Sequence, residues 1–221
     1  MTRKLMRLFR LDVVALVLFA ALAGVAANPP AARAGSAEPA AAFVRETSQK
    51  AIDGLTDLSR SEVEREAVFR HLLSQVFDIP AIGRFVVGRY WRAAEDEVKL
   101  EFLQVFEDVI VQRFLPLFAR YQGEQLIVDG AVPDGRNKSF TIVNSTFIDA
   151  KGRKVKTDWR LHDKRGRYQV FDVLVEGVSM AITLRSEYAS VIKDEGGLDG
   201  LIGLLRGKLI RGEFEPAVAA Q

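Results

Sequence analysis

Asp172, Glu176 and Ser179 are the residues of this 221-residue chain whose types and spacing come nearest to doing chemistry. They stand in the run Tyr168-Gln-Val-Phe-Asp-Val-Leu-Val-Glu-Gly-Val-Ser-Met180. A carboxylate in an apolar cup can hold a raised pKa and act as a general base, as in small α+β isomerases. Asp172 can equally be structural, pairing with Arg185 or taking the free amides at a helix start. The second role is favoured, because no other polar group is placed to stabilise a developing charge. Glu176-Gly-Val-Ser179 is no nucleophile elbow, since Met180 stands where the second glycine belongs. His71 reads as a helix-surface residue and His162 as the end of a hairpin, and neither lies in a ligand-spaced motif. With no cysteine, thiolate metal sites, disulfides and cysteine nucleophiles are excluded. No catalytic residue, metal ligand or cofactor is assigned.

The elements around these residues explain their spacing. Phe171, Val173 and Val175 alternate with more polar neighbours as in a half-buried strand, and Asp172 falls on a face with Val170 and Leu174. Gly177 supplies a sharp bend, and Ser179 stands where a helix N-cap is wanted. Period-2 patterns predict strands at about 124–132, 138–148, 153–162 and 167–176. In the third, Val155, Thr157, Trp159 and Leu161 face one way while Lys154, Lys156, Asp158 and Arg160 face the other, so one face is buried and one wet. Short turns at 149–152 and 163–166 join these strands as hairpins.

Helical periodicity governs the rest. A first helix presents Phe43, Ala51, Leu55 and Leu58. Ser61-Glu-Val-Glu64 has the capping-box pattern and opens a helix using Val63, Ala67, Leu73 and Val76. Asp78-Ile-Pro80 starts a short helix through Ile82, Phe85 and Val86 that ends near Gly88. A long helix from Glu95 to about Tyr121 carries two apolar stripes. The first holds Val98, Phe102, Val105, Phe106, Val109, Ile110 and Leu117; the second holds Leu100, Leu103, Val111 and Leu115. Pro116 must kink or stop it, because the Gln112 carbonyl loses its donor. Two helices, about 179–193 and 198–210, close the chain. The fold class is α+β: N-terminal helices, a four-stranded antiparallel sheet, and C-terminal helices packed on one sheet face around an apolar pocket.

Residues 1–34 read as a cleaved secretory signal. Arg3, Lys4, Arg7 and Arg10 precede an apolar run from Val13 to Ala27, and Ala32-Arg-Ala34 fits a cleavage site. The run is shorter than the roughly 20 residues of a spanning helix. Five of the 31 basic residues and one of the 29 acidic ones lie there, leaving 26 and 28 in a single domain over 35–221. The remaining charge, near −2, gives no support for nucleic-acid binding. The basic group Lys151, Arg153, Lys154 and Lys156 is a solvated strand face or a surface for anionic headgroups or an acidic partner.

Asp172, Glu176, Gly177, Val178 and Ser179 match the Asp-x-x-x-Glu-Gly-Val-Ser pattern of the MlaC family, the soluble periplasmic carriers of lipid-transport ABC systems. Gly88-Arg-Tyr-Trp-Arg92, Tyr121-Gln-Gly-Glu124 and Gly197-Leu-Asp-Gly-Leu201 resemble further segments of that family in the same order, over about residues 40–212. Pro116 departs from it. The resemblance implies a periplasmic, non-enzymatic monomer with a deep pocket for the acyl chains of a phospholipid. It also implies two partners, an inner-membrane ABC transporter complex and an outer-membrane lipoprotein complex. A branch of the family tied to hopanoid pathways makes another apolar lipid the alternative cargo. The candidate lining comes from four places. Phe85, Tyr90 and Trp91 stand at the corner before the long helix, where the two rings either close the core or line a mouth. Phe102, Phe106, Val109, Ile110 and Phe114 come from the long helix. Phe140, Ile142, Trp159, Leu161, Phe171, Val173 and Val175 come from strands. Met180 and Leu184 come from the helix after them.

Overall fold

The computed structural model describes residues 38–214 apart from Arg165, so the expected signal segment lies outside the described residues. Five helices precede the sheet: α1 (Glu38–Leu55), α2 (Glu62–Val76), α3 (Ile79–Val87), α4 (Arg89–Ala93) and α5 (Asp96–Phe118). The strands are β1 (Gln125–Pro133), β2 (Phe140–Ile148), β3 (Lys154–Asp163), β4 (Tyr168–Val175) and β5 (Val178–Ser179), followed by α6 (Met180–Asp194) and α7 (Leu198–Ile210). The strands form one antiparallel meander in the order β1-β2-β3-β4-β5.

Local chemistry sets the boundaries of the helices. Ser61 and Glu64 form a complete capping box: the Glu64 amide donates to Ser61 Oγ and the Ser61 amide to Glu64 Oε2 at 2.8 Å. The Asp78 side chain caps α3 by accepting from the Ala81 amide, and Pro80 sits in its first turn. Pro116 stops α5 within its last turn, since a proline removes the hydrogen bond that would continue the ladder. Tyr121 and Glu124 then shape the entry to β1. The Tyr121 hydroxyl donates to the Glu124 carbonyl, and the Glu124 carboxylate accepts from the Gln122 amide.

The helical faces differ from expectation at their ends. Leu58 lies beyond α1 and is exposed; Val63, Ala67 and Leu100 also face solvent. The buried residues of α2 are Phe69 and Leu73 instead. Leu58 lies past the end of α1 and Val63 in the first turn of α2, while Ala67 and Leu100 lie further along their helices on faces turned to solvent.

The sheet carries five strands rather than the expected four. Glu176 (φ 50°) and Gly177 (φ 79°) turn the chain back so that Val178 and Ser179 pair with Val175 and Leu174. Two successive left-handed residues are the signature of a type I′ hairpin. The strain at Glu176 is offset by β3: its carboxylate accepts from the Lys156 amide at 2.6 Å, and its own amide donates to the Lys156 carbonyl.

A second irregularity lies inside β4. Arg160 pairs with Asp172 but Leu161 pairs with Val170, so Phe171 is a bulge residue. Consecutive β3 residues point to opposite faces, which puts Val170 and Asp172 on opposite faces instead of the shared one expected. Nor is the polar face wet at this end. Asp158 and Asp172 are each 7% exposed; Asn144 donates to Asp158 at 3.0 Å, and Arg160 is 2.6 Å from Asp134. β1 is also bulged, with its register shifting between Val128 and Gly130 before it ends at Pro133.

The buried face carries Leu126, Val143, Phe147, Thr157, Trp159, Leu161 and Val175. α1 packs across β1 and β2, while α2, α3 and α6 pack on β4, and α5 joins α2, α3 and α7. The α2–α3 junction is stitched to the sheet edge by a parallel bridge between Phe77 and Val170. The Asp78 amide donates to the Val170 carbonyl there, at 3.0 Å.

Candidate functional site

A cavity of about 190 Å³ lies between the helices and the sheet. α1 contributes Val44, Thr47, Ser48, Ala51 and Leu55, residues three or four apart on one helical face. From α2 come Phe69, Leu72, Leu73 and Val76, with Phe77 just beyond it, and from α3 Ile79 and Ile82. α5 supplies Phe106, Ile110, Phe114 and Phe118 at the same spacing. Trp159 and the β4 residues Val170, Phe171, Asp172, Val173 and Val175 form the sheet side, closed by Met180, Ala181 and Leu184 of α6. Phe69 and Phe118 meet edge to face at 6.0 Å across one end.

The polar groups of this wall are already engaged, apart from Ser48. Thr47 Oγ1 donates to the Phe43 carbonyl at 2.6 Å. The Asp172 carboxylate accepts from the Ser179 hydroxyl at 2.5 Å and from the Ala181 amide at 2.9 Å, and Ser179 Oγ accepts from the Ile182 amide. Asp172 therefore caps α6, as the structural alternative required, but does not pair with Arg185. The Arg185 guanidinium lies 4.8 Å from the Phe85 ring centre and donates to the Phe85 carbonyl. Burial raises the Asp172 pKa above the usual carboxylate range, against the hydrogen bonds that pull it down. With both oxygens held by the helix start, neither is presented to a reactant.

A wall of this kind can hold hydrocarbon. An apolar cavity of about 150 Å³ stays dry and takes up benzene, so water has little reason to fill this one. It offers no ordered set of polar groups to orient a reacting molecule.

Of the candidate lining residues, the cavity brings together Phe106, Ile110, Phe114, Trp159, Phe171, Val173, Val175, Met180 and Leu184. The others lie elsewhere. Phe102, Val109 and Leu161 are buried in the surrounding core. Ile142 pairs with Arg160 and Phe140 with His162, which sets both on the opposite sheet face from Trp159. Phe85 packs behind Phe171, with ring centres 5.4 Å apart. Tyr90 and Trp91 are half-buried on α4, where the Arg89 guanidinium covers the Tyr90 ring and donates to its hydroxyl.

Sequence reasoning missed the α1 and α2 wall as a lining, although the spacing of Val44, Ala51 and Leu55 signals an apolar face. His71 is exposed. His162 ends β3 stacked on Phe140, with Nε2 3.0 Å from Asp78 Oδ2 but without the alignment of a hydrogen bond. The basic group at 151–156 is partly neutralised by Asp149 and Asp158 and does not line this cavity. No cluster of metal-ligating side chains occurs among the described residues, and no helix among them is long and apolar enough to cross a membrane.

The architecture is that of an α+β domain with an apolar chamber between helices and an antiparallel sheet. The MlaC protein family model matches residues 45–207, and the chain belongs to that family. It is 23% identical over 138 residues to the intermembrane phospholipid transport system binding protein MlaC of Haemophilus influenzae, covering 61% of this chain and 64% of that protein's length. Its fold is similar to that of a phospholipid-binding protein from Ralstonia solanacearum solved in complex with a phospholipid. The TM-score is 0.67 and the identity 19%, over 79% of this chain and 98% of the other.

Proposed function

We propose that this protein is a periplasmic lipid carrier that shields phospholipid acyl chains in the chamber bounded by α1, α2, α5, β4 and α6. The observation that carries the reading is the composition of that wall: aliphatic and aromatic side chains apart from Thr47, Ser48 and one carboxylate, which is tied to a helix N-terminus. The Haemophilus and Ralstonia relatives, which by name bind or transport phospholipid, support it. A hopanoid or another apolar lipid is the alternative cargo, since a wall without polar recognition groups selects for hydrocarbon.

The physical task accounts for such a carrier. Two acyl chains hold on the order of 30 methylenes, so at about 0.8 kcal/mol each roughly 25 kcal/mol opposes their release into water. That figure exceeds any realistic net affinity, so unassisted escape would be too slow. The carrier must instead hand its cargo directly to docked partners. The reading names these as an inner-membrane ABC complex and an outer-membrane lipoprotein complex, reached after removal of residues 1–34.

Native mass spectrometry of the purified protein tests the proposal. A copurifying lipid, and uptake of lipid from liposomes by delipidated protein, are expected. Absence of both would overturn it.

A further inference from the structure

The corner where α3 passes into α4 and meets α6 gathers positive charge around Gly88. Arg84 stands one turn before that glycine, Arg89 directly after it and Arg92 one turn further on. Arg185 of α6 reaches the same point, its guanidinium 3.1 Å from where a Cβ on Gly88 would stand. All four arginines are exposed, and none forms an ion pair among the described residues. Arg45, Arg70, Arg153, Arg160 and Arg206, by contrast, each pair with a carboxylate. Glu95, Asp96 and Glu97 follow in the chain, but Asp96 pairs with Lys99.

Apolar groups accompany these charges. Ile182, three residues before Arg185 on α6, and Val178, just ahead of that helix, are each 54% exposed. Tyr90 and Trp91 are half-buried on α4, and Arg89 donates to the Tyr90 hydroxyl at 2.9 Å. Guanidiniums bind phosphate oxygens in pairs, Tyr and Trp settle at the headgroup level, and exposed aliphatic side chains enter just beneath it. The arginines come from three elements and none of them lines the chamber, so they offer spread contacts to a layer of phosphates rather than one cleft for a peptide. The rest of residues 35–221 is net negative, so an anionic surface attracts this corner and repels the remainder, which sets the orientation of approach. Met180 and Leu184, on the same two turns of α6 as Ile182 and Arg185, belong to the chamber wall.

We propose that this corner is a membrane-docking surface: Arg84, Arg89, Arg92 and Arg185 bind the phosphates of an anionic bilayer while Val178 and Ile182 enter its headgroup layer, which holds the chamber beside the leaflet. The inference goes beyond the carrier reading, because docking can fail while lipid binding stands.

The test is flotation of the whole exported protein with phosphatidylcholine vesicles made with and without phosphatidylglycerol. Binding to the phosphatidylglycerol vesicles, reversed by high salt, is expected. A basic side chain near such a surface strengthens binding about fivefold, so Arg84→Gln combined with Arg92→Gln should weaken it about 25-fold. Lys151→Gln combined with Lys154→Gln removes the same charge from exposed positions around the start of β3 and should leave binding nearly unchanged. Ile182→Ser should weaken binding with no change in salt sensitivity. Equal losses in the two double variants would overturn the inference. Absence of flotation would also overturn it and assign the corner to an acidic protein partner. Native mass spectrometry of the same samples reads the carrier proposal separately: bound lipid without flotation sinks the docking surface alone.

Discussion

The Asp172 carboxylate and the Ser179 hydroxyl lie 2.5 Å apart across the β4–β5 hairpin, and each also accepts from a different amide at the start of α6. Strand, turn and helix are thereby locked into one unit at the edge of the apolar chamber. The helix N-terminus favours negative charge there, while burial opposes it and prevails in raising the pKa.

Asp172→Asn should therefore change how stability depends on pH. In the native state the carboxyl keeps its proton to a higher pH than in the unfolded chain. Its contribution to stability thus falls as pH rises from about 4, the ordinary Asp value, through the raised one. Asn keeps an acceptor for Ala181 and removes the ionisation, so that part of the fall should vanish. Urea unfolding at about pH 4 and pH 7 measures it; the same pH difference in both proteins would contradict the assignment.

His162 should act in the opposite sense. Burial lowers its pKa, a cost only partly offset by the nearby Asp78 carboxylate. The folded state binds its proton less readily, so stability present above about pH 6.5 is lost as pH falls through the lowered value. His162→Phe keeps a ring against Phe140 and should flatten this acid-side loss. The check is the unfolding midpoint at about pH 7.5 against pH 5.5.

Two glycines of α7 should respond in opposite directions. A Cβ on Gly200 would stand 2.1 Å from the Glu195 carbonyl oxygen, while one on Gly203 meets nothing within 4 Å. Gly200→Ala forces backbone apart and should cost about 1–3 kcal/mol. Gly203→Ala gains helix propensity and should stabilise by up to about 1 kcal/mol. Thermal melts of the two variants decide it.

Ala51→Trp tests the chamber without touching its aromatic wall. Ala51 is half-buried and lines the cavity from α1, so the larger ring fills space that cargo would occupy. Lipid uptake from liposomes should drop while far-ultraviolet circular dichroism stays unchanged. Undiminished uptake would move the binding space elsewhere.

Much of this was legible in the chain because the signals were local. The strict alternation in Lys154–Leu161 fixes β3 and its buried face, and Ser61 with Glu64 fixes the start of α2. The bulge at Phe171 was not legible: Val170, Phe171, Val173 and Val175 are all apolar, so nothing in the pattern marks a skipped residue. That skip decides which way Asp172 points. Phe140 and Ile142 were misplaced for a related cause, since a strand with apolar residues on both faces does not announce its parity. The α1–α2 wall needed tertiary information, because an apolar helix face looks the same whether it borders packed atoms or a void.

The irregular end of β1 bears on how such a protein survives at high concentration. A sheet whose last strand is straight and unpaired invites a neighbour to add its own. Here the register break near Asp129 and the proline at the terminus spoil that template, while the Phe77–Val170 stitch covers the opposite margin. Copies of the chain are thereby discouraged from pairing strand to strand into fibrils.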